Sequence, residues 1–166
     1  PGVLRTPSGM IELAPEICVA DVERLRAVLA RPLARDGGPL LLVGRRDLRS
    51  NNSWMHNLPV LVKGPARCTA WVHPDDAARL GLADGEPARV SSRAGSVEIP
   101  VEVTEDVMPG VVSIPHGWGH DRNGTRLAVA REHAGVSIND VTSERHLDTL
   151  SGNAAFNGVA VTLRPA

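Results

Sequence analysis

The stretch Gly95-Ser96-Val97-Glu98-Ile99-Pro100-Val101-Glu102-Val103 decides the fold. Val97, Ile99, Val101 and Val103 fall on one face, and Glu98, Pro100 and Glu102 on the other. A period of two is a strand with one face on a core. Pro100 has no N–H for a ladder, which predicts an edge or a bulge there. Ala94-Gly95 turns the chain back onto Ala88 to Ser92, a second strand. Outward from this hairpin, short strands repeat. Asp84-Gly85 is a turn signal. Before it, His73 to Gly81 reads as one short helix: Pro74 suits the first turn, Asp75 and Asp76 suit the N-terminal dipole, and Gly81 suits C′. Cys68 to Val72 is a further strand. Leu40-Leu41-Leu42-Val43 is a continuous apolar run, as expected of a strand buried on both faces. Pro109-Gly110 turns into Val111 to Ile114, and Val159, Val161 and Leu163 alternate in a last strand. At least six strands with few helices and regular turns predict a small closed β-barrel or a sandwich.

Composition agrees and excludes several classes. With 166 residues the chain makes one domain, with room for an arm. Basic and acidic residues nearly cancel, 18 against 19, which argues against a wholly basic nucleic-acid binder. Three Trp, one Phe and no Tyr leave Val, Leu, Ile and Ala to build the core. Cys18 and Cys68 form no CxxC and cannot make a disulfide scaffold, so both are read as reduced thiols with at least one in the core. No apolar run approaches the roughly 20 residues of a membrane span. The expected compartment is the cytoplasm.

Residues 1–39 differ from the rest. Asp21 is a candidate cap for a helix carrying Val22, Leu25, Val28 and Leu29 at helical spacing; Pro32 ends it, and Asp36-Gly37-Gly38-Pro39 reads as a linker. The expectation is an N-terminal arm over 1–39 and a barrel domain over 40–166.

Unusual residues gather between the strands, in Gly44 to Asn57, His116 to Gly124, Ser137 to Asp140 and Leu150 to Gly158. Long loops in a compact domain usually serve function. Arg45, Arg46 and Arg49 follow a strand and Gly44; guanidinium forks pair with phosphate oxygens, and the asparagines and serines of 50–53 offer both donor and acceptor edges. Such a set suits a phosphorylated heterocycle, with solvated surface arginines as the plain alternative. Trp54 and Trp118 are either rim packing or platforms for a flat ring. His116 and His120, four apart, have a metal-ligand spacing, but Gly117 and Gly119 between them disfavour a helix, so ordinary hydrogen bonds are the better reading. Gly-x-Ser-x-Gly, Walker A and GxGxxG signatures are all absent.

These loops, in this order on this strand pattern, resemble one family. From about Arg5 to Leu163 the chain is similar to the C-terminal domain of molybdopterin oxidoreductases, the group of formate dehydrogenases, nitrate reductases and dimethyl sulfoxide reductase. Thr6-Pro7-Ser8-Gly9-Met10-Ile11-Glu12 resembles the segment that precedes this domain, with Met10 where Lys is common. Gly44-Arg45 through His56-Asn57 resembles the first cofactor loop, and Ile114-Pro115-His116-Gly117-Trp118-Gly119-His120 the second. His73 to Gly85 is similar to the barrel helix, Asn139-Asp140-Val141-Thr142 to an Asn-x-Leu-Thr segment, and Asp148 to Phe156 to an Asp-Pro-Leu-Ser-Gly stretch with Thr149 in place of Pro.

The resemblance implies a six-stranded double-psi β-barrel, like that of aspartate decarboxylase, with a few short helices. It implies molybdopterin guanine dinucleotide carrying molybdenum or tungsten. Carried over by position, Gly44, Arg45, Asn52, Ser53, Trp54, Met55 and His56 line the cofactor from the first loop, joined by Arg46 from the arginine cluster. His116, Gly117 and Trp118 do so from the second loop, with Asn139 and Asn157 beyond; Asn157 stands where some members have a cofactor-binding Lys. The family's metal ligand and its iron–sulfur motif lie in earlier domains, and nothing in this chain matches them. The implied partners are those upstream domains of the same oxidoreductase, and the chain is not catalytic alone. The alternative is a double-psi barrel that recognises a protein partner, as in substrate-recognition domains of AAA-type ATPases. A self-processing decarboxylase is a third class, disfavoured because Gly95-Ser96 is a plain hairpin turn.

Overall fold

The computed structural model describes residues 2–30 and 38–166. Six strands follow in chain order: β1 Leu40–Arg45, β2 Ala70–Val72, β3 Pro87–Ser91, β4 Ser96–Val103, β5 Val111–Pro115 and β6 Val159–Pro165. They close into a barrel in the order β1-β5-β2-β4-β3-β6. The pairs β1–β5 and β2–β4 are parallel; the other four are antiparallel. The closed six-stranded barrel is the architecture that the turn pattern and the resemblance led to. Among the described residues no helix is long and apolar enough to cross a membrane.

The period of two is what makes the barrel. Val97, Ile99 and Val101 of β4 point inward and are buried; Glu98, Pro100 and Ser96 point out. Ala88 and Val90, Val112 and Ile114, and Val161 and Leu163 supply the same face from β3, β5 and β6. Burying such a side chain contributes about 1.5–3 kcal/mol. The strands contribute only aliphatic side chains to the interior, as the shortage of aromatics predicts, and Trp118 joins this core from a loop.

Two strand expectations need correction. Leu40 and Leu42 are buried, but Leu41 and Val43 are only half covered. A closed barrel has one interior face, so the apolar run is not buried on both sides. Nor does Pro100 mark an edge, because β4 is paired on both sides. The other expectation, a bulge, holds beside it: Gly85, at φ 79°, and Glu86 both oppose Val101, and the Gly85 N–H donates to the Val101 carbonyl at 2.8 Å. The Val101 N–H turns to the Glu86 carbonyl at 2.9 Å on the β3 side, so position 100 addresses the β2 side. The β2 ladder begins only at Ala70↔Val101, one step further on. Pro100 thus sits where no partner needs its missing N–H.

The predicted short helix is present. Numbering helices in chain order, α1 is Glu16–Ala20, α2 Val22–Leu29, α3 Pro59–Val62, α4 Pro74–Leu80 and α5 Ala128–Glu132, with a 3₁₀ turn at Ile138–Val141. In α4, the His73 side chain accepts from the Asp75 N–H at 3.2 Å, and Gly81 closes the helix in the left-handed region at φ 66°. Asp76 does more than complement the dipole. It is buried, accepts from Arg79 at 2.7 Å, and accepts from the Gly110 N–H at 2.6 Å, tying α4 to the turn before β5.

The arm departs from expectation at Asp21. A helical turn, α1, already precedes it; Asp21 has helical backbone angles and its side chain caps nothing. Both carboxylate oxygens hold Arg24 instead, at 2.7 and 2.6 Å. Pro32 and the Asp36-Gly37 half of the linker lie outside the described residues. Cys68 is buried and Cys18 exposed.

Candidate functional site

Three loops meet at the end of the barrel where β1 and β5 finish. The first, 44–57, is a run of tight turns. The Asp47 side chain accepts from the Arg49 N–H at 2.8 Å, and Asn51 and Asn52 take the left-handed region at φ 42° and 60°. Asparagine tolerates that conformation at low cost. The second loop begins where the His116 N–H continues the β1–β5 ladder to the Arg45 carbonyl at 3.0 Å. Gly117, at φ 97°, then passes directly over the first loop: a Cβ there would stand 2.0 Å from the Asn52 carbonyl oxygen. Gly119, at φ 103°, leaves no room either, since its Cβ would meet that of Ser137 at 2.8 Å. Glycine is therefore required at both crossings. The third loop is held by Ser137, whose hydroxyl accepts from the Asn139 N–H at 3.3 Å.

Beneath this surface the loops are joined by aromatic side chains. His56 is completely buried. Its ring stacks on Trp118 with centroids 3.9 Å apart and planes 27° from parallel. Its Nδ1 shares a hydrogen bond with His120 Nε2 at 2.7 Å, and its Nε2 shares one with Ser50 Oγ at 2.8 Å. Burial holds His56 down at about 4, helped by the neighbouring His120 and Arg67. Burial likewise lowers His120 and His116, the latter with help from Arg46. Among the described residues no group of three His, Cys, Asp or Glu side chains is placed to hold a metal ion.

The structure separates the predicted residues into three sets. Gly44, Arg46, Asn52, Trp54, Asn139 and Asn157 are exposed, with Ser53, Met55, His116 and Gly117 half-buried beside them. Asn157 Oδ1 accepts from the Gly44 N–H at 2.8 Å, which brings the start of β6 onto the end of β1. Arg46 donates to Asn52 Oδ1 and has no carboxylate partner among the described residues. His56 and Trp118 form the second set: both are buried under the loops, and Trp118 offers its face to His56. Arg45 is the third. Strand alternation turns it away from Gly44 to the outer wall, where its guanidinium lies 4.1 Å from the Trp71 ring centroid. There it donates to the Ser113 carbonyl at 2.7 Å and to the Thr69 carbonyl at 2.9 Å. Burial pushes its pKa down to about 10, leaving it charged at neutral pH. Sequence reasoning counted Ser50 among the loop's polar groups but not as the partner of His56, and it gave no role to Asn57, whose Oδ1 accepts from the Ala130 N–H of α5 at 3.2 Å. His120 was legible through its spacing from His116, but its partner was not.

The exposed set has the chemistry of an anionic, ring-bearing ligand. The Arg46 guanidinium, without a carboxylate partner among the described residues, stands on Asn52 beside the left-handed backbone at Asn51-Asn52, and Asn157 lies on Gly44, two residues before Arg46. Asn139 lies apart, in a hollow shared with Arg122, Asp140 and Glu144. A dinucleotide with a pyrophosphate and a heterocycle fits that donor set.

Comparisons with known proteins agree. Residues 40–160 match the family described as "Molydopterin dinucleotide binding domain". The dimethyl sulfoxide/trimethylamine N-oxide reductase of Rhodobacter capsulatus is 43% identical over 134 residues, covering 71% of this chain and 16% of that protein. Dimethyl sulfoxide reductase DmsA of Escherichia coli K12 is 32% identical over 121 residues, covering 73% of this chain and 14% of that protein. The arsenate respiratory reductase molybdopterin-containing subunit ArrA of Shewanella sp. ANA-3 is 32% identical, covering 72% and 15%. In fold, the chain superposes on acetylene hydratase from Pelobacter acetylenicus with a TM-score of 0.65 at 22% identity, covering 95% of this chain and 21% of that one. The chain thus spans about a fifth or less of these proteins' length. With the family's span running from the first residue of β1 into β6, the chain belongs to the molybdopterin-dinucleotide-binding domain family.

Proposed function

We propose that this chain is the C-terminal cofactor-binding part of a larger molybdenum or tungsten oxidoreductase, and that its ligand is molybdopterin guanine dinucleotide. In this reading residues 1–39 are an arm and 40–166 the binding domain. One observation carries it: Arg46, Asn52, His116 and Asn157 gather at the ends of β1 and β5, and among the described residues none of them pairs with a carboxylate. The bound group would supply the redox chemistry, and any iron–sulfur cluster would belong to upstream domains. This chain's residues bind and orient. Arg46 would meet the pyrophosphate, where a charge-assisted pair is roughly twice as strong as a neutral hydrogen bond. His116, held neutral by burial and by Arg46, would act as a donor or acceptor without adding charge. Asn139 and Asn157 would read ring or ribose edges, and Trp54, 82% exposed, is free to cover a flat ring. Arg45, Trp118 and His56 would act from behind this face, by shaping the loops.

The test is cofactor retention in the whole protein that carries this chain. Arg46→Ala should lower retained pterin and metal together, by about 10- to 100-fold in affinity, the effect of one hydrogen bond to a charged group. Unchanged pterin and metal content would refute the assignment. Elemental analysis of the same preparation would identify the metal.

A further inference from the structure

We infer that Ser50, His56 and His120 form a latch that locks the first cofactor loop to the second, and that the latch survives one added proton but opens on the second. The inference rests on the cofactor-loop reading above and names residues that position those loops without touching the ligand.

Proton counting across the 2.7 Å bond carries the argument. When both rings are neutral, one proton lies between His56 Nδ1 and His120 Nε2. Ser50 can donate or accept at 2.8 Å, so either direction of donation leaves the chain complete. A first added proton makes one imidazolium, which donates across the same bond, and nothing breaks. A second puts N–H groups on both facing nitrogens, and the bond is lost. The surroundings resist that second proton. Burial and the positive charge of Arg67 resist it; Asp47 and a hydrogen bond to the Gly117 backbone favour it and are outweighed, and the Trp118 ring closes the remaining side. His120 has Asp121 beside it, which favours its taking the first proton. The latch spans 64 residues of sequence and sits directly below the Gly117–Asn52 crossing. It is therefore placed to hold the two loop tips in register.

Hydrogen exchange on the whole protein that carries this chain, prepared without pterin and corrected for intrinsic rates, tests the latch without any cofactor. His120→Leu removes the ring that pairs with His56. Protection should fall about tenfold in 50–57 as well as in 116–120, the effect of one buried hydrogen bond, while β1 and β5 stay unchanged. Loss confined to 116–120 would overturn the proposal. His120→Gln gives the sharper readout. Its side-chain oxygen accepts from His56 Nδ1–H even when His56 is charged, so its loops should stay closed in acid. In the native chain both loops should open together as pH approaches about 4. Separate midpoints for the two loops, or the same acid opening in His120→Gln, would overturn the latch even if the leucine variant fails to fold. Pterin retention in the whole protein is read separately, so loops that unlock without loss of pterin would refute only their positioning role.

Discussion

The barrel interior and the loop layer above it are built by different rules. Inside the barrel, aliphatic side chains from six strands meet on one face, and any of them exchanges one apolar neighbour for another. In the loop layer, each contact is a specific pairing between distant residues: Gly117 on Asn52, His56 on His120, Asn157 on Gly44. The barrel's stability is therefore spread over many residues, and the layer's is concentrated in a few.

The largest expected effect is in the layer. Gly117→Ala forces a Cβ to within 2.0 Å of a backbone oxygen at φ 97°, so the crossing must move. A cost of about 4 kcal/mol or more is expected, measurable by urea unfolding, with cofactor retention lost. A cost under about 1 kcal/mol would mean the crossing is soft. Next comes the barrel. Leu42→Ala, at a fully buried position, should cost about 3 kcal/mol through a cavity, without changing exchange in the loops relative to the strands. A loop-specific effect would blur the contrast between the regions.

Acid should act on the layer first. His56 binds its proton at about 4 in the folded chain and at the ordinary 6.5 when unfolded. Between those values the unfolded chain holds more protons, so stability falls as pH drops from about 6.5 to about 4, and this contribution changes no further below that. The loss from His56 is at most about 3 kcal/mol, with His120 and His116 pulling the same way. His56→Asn should flatten the curve in that window; an unchanged curve would show that other groups set it. The smallest effect on stability belongs to Arg46→Ala. It should stay within about 0.5 kcal/mol because the residue is exposed, even as retention of the dinucleotide falls.

The same division explains what the sequence could reveal. Alternation at Val97, Ile99 and Val101 depends only on neighbours in the chain, and so do the Pro74 and Gly81 ends of α4; all were legible. Arg45 was read together with Gly44, but the two alternate faces, and only the barrel's closure says which is outer. The rings of His56 and His120 could not be paired in advance, since nothing local marks contacts 64 residues apart. Asp21 misled for the opposite reason. Its local signal suits a cap, but α1 already occupies the preceding turn, and Arg24 takes both oxygens.

Cys68 gives the molecule a clock. Its sulfur accepts from the Val136 N–H at 3.3 Å and lies so close to Gly135 that a methyl there would stand 2.7 Å away. Burial also raises its pKa, leaving little thiolate to react. Cys18 is exposed in the arm. A thiol reagent should therefore mark Cys18 at once, and Cys68 only as often as the segment carrying Gly135 and Trp118 lifts from the barrel. The ratio of the two labelling rates would time that opening in the wild-type chain, with no engineered probe.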